Sequence, residues 1–170
     1  MEDIAQIGIT GMPGVGKTQT LIKIAKTLEE HGYKVHGMIT DPLLENKKRI
    51  GFIVKNWTTG EKEVFAHKDF DYKDKVGDYG VDTKILEKIG VPAIQDAIND
   101  DAVDVIIIDE IGKMEMLSEG FCKAVIDALD SDKPIMVTLH KKSRTPLLQD
   151  VRRRDDMRIL EVTPVNRNLL

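Results

Sequence analysis

Gly11-Met12-Pro13-Gly14-Val15-Gly16-Lys17-Thr18 is the stretch that decides the architecture of this 170-residue chain. It matches G-x-x-x-x-G-K-[ST], the P-loop pattern, and the spacing has a mechanical reason. Glycines let the backbone curl through conformations closed to other residues, so several N–H groups point at one anion. A helix that starts at the end of the curl turns its positive end toward the same phosphates. Lys17 can then neutralise the β- and γ-phosphates, and the Thr18 hydroxyl can take a coordination position on Mg²⁺. The surroundings have the required order. Ile4 to Thr10 is a short apolar, β-branched run leading into the loop. Leu21, Ile24, Ala25 and Leu28 then recur as the stripe of an amphipathic helix, Gly32 stands where a cap would end it, and Tyr33 to Thr40 reads as a second strand. Strand, helix and strand in this order imply a right-handed crossover in a parallel sheet.

The loop needs an acidic partner on a neighbouring strand. Asp104-Val105-Ile106-Ile107-Ile108-Asp109 is continuous rather than alternating, the pattern of a strand covered on both faces. Each of its four aliphatic side chains would contribute roughly 1.5–3 kcal/mol on burial, before entropy. Asp109, at its end, is the expected second Mg²⁺ ligand, and Glu110 the residue that orients the attacking water. Between the two motifs, residues 41–49 read as polar and irregular. Ile50–Asn56 and Glu63–Ala66, joined through Trp57-Thr58-Thr59-Gly60, predict an antiparallel hairpin inserted at about 50–67. Residues 67–81 read as loop. Asp82–Lys88 and Pro92–Asn99 carry helical signals, with Pro92 suited to a first helical turn. Beyond Asp109, Phe121, Ala124, Val125, Ala128 and Leu129 mark a helix. Pro134–Leu139 predicts a strand, Thr145–Arg153 a short helix and Arg158–Val162 a last strand. The expectation is one α/β domain over residues 1–170.

Composition narrows the classes. With 25 Lys+Arg against 29 Asp+Glu the net charge is −4, and 41% hydrophobic residues beside 32% charged ones are ordinary for a globular protein. The longest aliphatic run, Val105–Ile108, is far short of the roughly 20 residues of a membrane span. Glu2, Asp3, Gln6 and Thr10 interrupt what would be the apolar core of a secretory signal. The one cysteine, Cys122, has no partner for an internal disulfide, and no Cys/His cluster has zinc spacing. A reduced, cytoplasmic protein without a structural metal is expected. Its acidic balance argues against bulk binding to nucleic acid or anionic membranes.

The segment Asp109-Glu110-Ile111-Gly112-Lys113-Met114-Glu115, with Ser118 after it, is more particular than a bare Asp-Glu pair. It resembles the signature of the small nucleoside-triphosphatase family of archaea, thermophilic bacteria and animals, whose animal members are called cancer-related nucleoside triphosphatases. The P-loop, Arg49-Ile50-Gly51-Phe52, Val76 to Asp82 and Asn166-Arg167 carry the resemblance along nearly the whole chain. It implies a P-loop NTPase fold: a RecA-like, mainly parallel open sheet with helices on both faces. It also implies slow, Mg²⁺-dependent hydrolysis of ATP, GTP and other triphosphates to the diphosphate. The nucleotide site would comprise Gly11 to Thr18 with Asp109, Glu110, Ile111 and Gly112, with Lys17 and Glu110 catalytic. Where the family usually shows Thr-x-Glu-Val-Arg this chain has Thr40-Asp41-Pro42-Leu43-Leu44, and the closing Asn-Arg-Asp is Asn166-Arg167-Asn168.

Other candidates are weighed against plainer roles. His140 follows a strand where many P-loop ATPases place a γ-phosphate sensor, and a strand-end histidine is equally in keeping. Asn166 or Arg167 would line the base pocket, or cap the C-terminus. Lys113 and Glu115 are within reach of the phosphate or are a surface pair. Lys141, Lys142, Arg144, Arg152, Arg153, Arg154 and Arg158 offer one arginine to transition-state charge, or a solvated basic face. Trp57, Phe65, Met114 and Met116 read as packing residues. A rival reading is a nucleoside or nucleotide kinase, with residues 41–49 and 67–82 closing over an acceptor. No arginine-rich lid lies between the P-loop and Asp109, which counts against it. A third is a nucleotide-gated nucleic-acid-binding module using residues 141–158, but no aromatic residue interleaves that run to stack on bases.

Overall fold

In a computed structural model, residues 6–12, 14–141 and 144–168 are described. Among the described residues nine strands form one sheet: β1 (Gln6–Gly11), β2 (Val35–Glu45), β3 (Lys48–Asn56), β4 (Lys62–His67), β5 (Lys75–Val76), β6 (Tyr79–Val81), β7 (Val105–Ile111), β8 (Ile135–His140) and β9 (Met157–Glu161). Their order is β5-β6-β4-β3-β2-β7-β8-β1-β9. From β2 to β9 every pairing is parallel; from β2 outward to β5 every pairing is antiparallel.

Helix α1 (Lys17–Glu30) covers one face, and α2 (Thr83–Asn99), α3 (Glu119–Leu129) and α4 (Pro146–Arg153) cover the other. The Val105–Ile108 run behaves as expected of a strand covered twice. Val105 and Ile107 pack with Leu21 and Ala25 of α1, whereas Ile106 and Ile108 pack with Ile94, Phe121 and Val125. Helix α1 stops as Gly32 suggests. Gly32 takes φ +88°, its N–H donates to Glu29 O (3.0 Å), and Tyr33 N–H donates to Leu28 O (3.0 Å), which closes the last carbonyls.

Four local expectations are corrected. Residues 41–45 are not irregular: β2 continues through Asp41-Pro42-Leu43-Leu44 and turns into β3 at Asn46-Lys47, both at positive φ (51° and 66°). This is the two-residue turn that matches strand twist, and Asn-Lys signals it more weakly than Asn-Gly. Pro42 is tolerated because β2 pairs with β7 only over Val35–Met38, so beyond that its second edge needs no N–H. The hairpin of β3 and β4 exists, but it continues the central sheet rather than hanging from it. Residues 75–81 hold a small hairpin turning at Gly77, at φ +57°, where a loop was expected. Finally, Thr83–Asn99 is one helix running through Pro92. Pro92 is on the exposed side, where water can take the carbonyl it leaves unbonded. The stripe Leu86, Ile89, Ala93, Ile94 and Ala97 meanwhile buries the opposite face.

Candidate active site

The ends of β1, β7 and β8 lie side by side at the carboxyl edge of the parallel strands, where open α/β sheets place their ligand crevices. From β1 the chain enters the glycine loop, with Gly14 at φ +79° and Gly16 at φ +109°. Both values are closed to most side chains, and they let the loop fold back so that α1 starts at Lys17. Pro13 and Lys142 lie outside the described residues. Met12 is exposed on the loop and Val15 is buried beneath it.

Lys17 and Thr18 leave the first turn of α1 toward β7. The Thr18 hydroxyl lies 3.1 and 3.0 Å from the two carboxylate oxygens of Asp109. Asp109 is wholly buried; it also accepts from the Thr138 hydroxyl of β8 and, at 3.4 Å, from Thr40 N–H of β2. Burial pushes its pKa up to about 7, with the nearby Glu110 charge adding to the effect; the hydrogen bonds from Thr138, Thr18 and Thr40 oppose it. Lys17 Nζ sits 2.8 Å from Glu110 Oε2 and 3.5 Å from Leu139 O. The pair is unevenly covered, Lys17 being 7% exposed and Glu110 28%, so the carboxylate faces the cleft.

Two hard oxygen donors about 3.0 Å apart have the separation of neighbouring corners around a cation with metal–oxygen bonds of about 2.0–2.1 Å. Among the described residues no group of three or more His, Cys, Asp or Glu is placed to hold a metal. A divalent cation held by Thr18 and Asp109 would therefore draw most of its ligands from water and phosphate. The donor set fits that role.

Glu115, in a 3-10 turn at Glu115–Leu117, is buried, and its Oε1 accepts Gly112 N–H at 3.2 Å. Burial raises its pKa well above the carboxylate range, and the charges of Glu110 and Asp109 push the same way. A side chain at Gly112 would meet the Glu110 and Glu115 oxygens at 2.9 and 3.1 Å, so a larger residue there would push on both carboxyls. A cleft of about 360 Å³ gathers Lys17, Thr18, Glu110, Lys113, Glu115 and His140 on one side, and Arg49, Phe52 and Val76 from the antiparallel extension on the other.

A family model described as NTPase matches residues 6–170. The chain belongs to that family. Among its relatives is the nucleoside-triphosphatase THEP1 of Picrophilus torridus, 38% identical over 98% of this chain and 92% of its own length. The THEP1 of Methanocaldococcus jannaschii is 46% identical over 80% and 78%. The crystal structure of THEP1 from Aquifex aeolicus superposes with TM-score 0.84 at 36% identity, over 96% of this chain and 93% of that one. The solution structure of a human cancer-related nucleoside triphosphatase gives 0.82 at 31%, over 98% and 93%. The fold is that of the P-loop NTPases, as the resemblance implied.

Within this NTPase-family fold the remaining candidates separate. Ile111 is turned into the core and offers the site no side chain. Asn166 is occupied locally: it accepts Thr163 N–H at 2.8 Å and donates to Glu161 O at 2.9 Å, closing the turn after β9. Arg167 and Asn168 line a second cleft with Gly14, Gly16, Gln19 and Lys23. His140 lines the first; burial holds its pKa below the ordinary value, with Lys17, Lys113 and Arg152 contributing against an opposing Glu110. Arg152 donates to the carbonyls of His140 and Lys141, tying α4 to the end of β8. Arg154 pairs with Asp130 at 2.9 Å on the far side of the sheet. Trp57 packs with the α1-side core and donates to Glu29 at 3.0 Å, and Phe65 is buried. Sequence reasoning missed Thr40 and Thr138. Thr138 left a signal, a lone hydroxyl inside the apolar run Ile135–Leu139.

Proposed function

We propose that the chain, read as one domain, hydrolyses nucleoside triphosphates to the diphosphate and phosphate with Mg²⁺ and broad tolerance of the base. The observation that supports this best is the meeting of Thr18 with Asp109 at 3.0–3.1 Å, beside the Lys17–Glu110 pair at 2.8 Å. Phosphate oxygens entering the loop compete with Glu110 for the Lys17 ammonium. Lys17 then follows charge onto the transferring phosphoryl group, and Glu110 is left to accept a proton from water aligned for attack. Thr18 and Asp109 are the residues that would hold Mg²⁺, which when bound neutralises charge between the β- and γ-phosphates. Glu115 keeps Gly112 and hence the Glu110 backbone in place. Base tolerance follows because these contacts address phosphates rather than base edges.

The test is phosphate release from the four ribonucleoside triphosphates, with and without Mg²⁺. All four are expected to turn over, and chelation to stop them. Glu110→Gln should keep nucleotide affinity while losing at least about 100-fold in kcat, the range of a positioned general base. Lys17→Ala should abolish turnover of ATP and GTP alike. Wild-type rates in Lys17→Ala, or equal loss of binding and turnover in Glu110→Gln, would refute the assignment.

A further inference from the structure

Two clefts border the glycine loop. Lys17, Thr18 and Glu110 line the first, of about 360 Å³. The second, of about 400 Å³, is walled by Gln19, Lys23, Arg167 and Asn168. Gly14, Gly16 and Gln19 border both, so the clefts adjoin at the loop. If a triphosphate sets its terminal phosphate on Lys17 and Thr18 and its nucleoside in the second cleft, the rest of the first cleft is left unfilled. The outer arm of the first cleft then lies past the terminal phosphate, on the side from which an attacking group arrives.

That arm is chemically unlike a phosphate site. Pro42, Phe52, Phe65, Val76 and Met114 wall it with carbon. Phe52 is half-buried and held as a platform, edge-on to Tyr79 with ring centroids 5.4 Å apart and tilted against Phe65 at 6.5 Å. The Arg49 guanidinium stands 5.3 Å from the Phe52 ring centroid. Tyr79 OH donates to the backbone O of Arg49 at 3.4 Å, which ties the Arg49 backbone to the ring cluster. An aromatic wall with a guanidinium lying over one of its rings suits a ligand that is flat and apolar in one part and anionic in another.

We propose that this arm is a second ligand subsite, past the terminal phosphate, for a small molecule that carries a planar ring and an anionic group. The ring packs against the wall that Phe52 and Val76 form and the anion meets Arg49; nucleoside monophosphates combine both features and are the class the test uses. The proposal rests on the triphosphate-binding reading above, because the direction of the bound nucleotide defines which side of the cleft is left over.

Calorimetric titration tests it. The full chain is first saturated with Mg²⁺ and a non-hydrolysable ATP analogue, and each of the four ribonucleoside monophosphates is then added. At least one should bind with one-to-one stoichiometry without displacing the analogue. Ribose 5-phosphate, which lacks the ring, and the parent nucleoside, which lacks the anion, should each bind at least tenfold more weakly. Arg49→Gln, at an exposed side chain, and Phe52→Leu, which keeps apolar volume, should each weaken monophosphate binding at least tenfold while analogue affinity stays within twofold. Three outcomes overturn the proposal: no monophosphate binds the loaded protein; one binds only by displacing the analogue; or either variant loses as much affinity for the analogue, which would make the arm the triphosphate's own base pocket. Failure of the analogue itself to bind is read in the first step. It would remove the triphosphate reading, and the subsite with it.

Discussion

Glu115 and Asp109 are two buried carboxyls close enough that the charge of Asp109 acts on Glu115. Both are shifted upward chiefly by loss of water, and each feels the charge of Glu110. A folded-state value raised above the unfolded one means that the native state binds the proton more tightly. The stabilising contribution is complete below the ordinary glutamate value of 4.5 and is lost as pH rises through the raised value. Asp109 acts with the same sign, up to about pH 7. Glu115→Gln separates the two, since the amide oxygen can still accept Gly112 N–H but carries no titrating proton. Urea unfolding at pH 5 and pH 8 should therefore show a smaller loss of stability in Glu115→Gln than in the parent chain. An unchanged pH dependence would mean that Glu115 is not the group responsible.

Helix and strand ends do the positioning. Lys17 and Thr18 reach β7 because α1 starts at Lys17, and that start depends on two glycines in left-handed conformations. The other end of α1 is as closely specified. Gly32 holds φ +88° with nothing within 4 Å of where a Cβ would stand, so a substitution there is resisted by backbone conformation alone. Gly32→Ala should cost about 1 kcal/mol, the usual penalty for an L-residue in that region, and should leave KM for ATP unaltered. Thermal unfolding with parallel kinetics checks both. The start of α2 uses a different device: Asp82 accepts from Lys84 and Ile85 N–H at 3.0 and 3.2 Å. With its first turn satisfied and its stripe buried, the helix carries Pro92 without breaking.

At the scale of the whole molecule, the cleft exists because a parallel and an antiparallel region share one sheet and face each other across β2. Gly37 lies near that junction at φ +138°, and a Cβ there would stand 2.0 Å from Ile107 O of β7. Its own carbonyl accepts Trp57 N–H at 2.9 Å. The close approach of β2 to β7 therefore requires a residue without a side chain. Gly37→Ala should destabilise the fold by about 3 kcal/mol or more, adding steric overlap to a strained φ. It should also weaken nucleotide binding by moving Thr40 away from Asp109. Stability and wild-type affinity in that variant would mean that the junction is more compliant than its packing implies.

What was legible in the sequence was whatever depends on near neighbours. The glycine spacing, the stripe of α1, the doubly buried Val105–Ile108 run and the Asp109-Glu110 pair are local patterns with local causes, and they were enough for the fold class. The rest depends on pairing across the chain. Asp41 to Glu45 becomes strand only because Lys48–Asn56 returns alongside it, and Pro92 stays helical because the buried face outweighs one lost hydrogen bond. Thr40 and Thr138 reach Asp109 only through the lateral order β2-β7-β8, and Phe52 and Arg49 face the glycine loop only through the extension of the same sheet. A linear pattern records what each residue prefers, whereas which strands lie side by side is settled by closing one core around all of them.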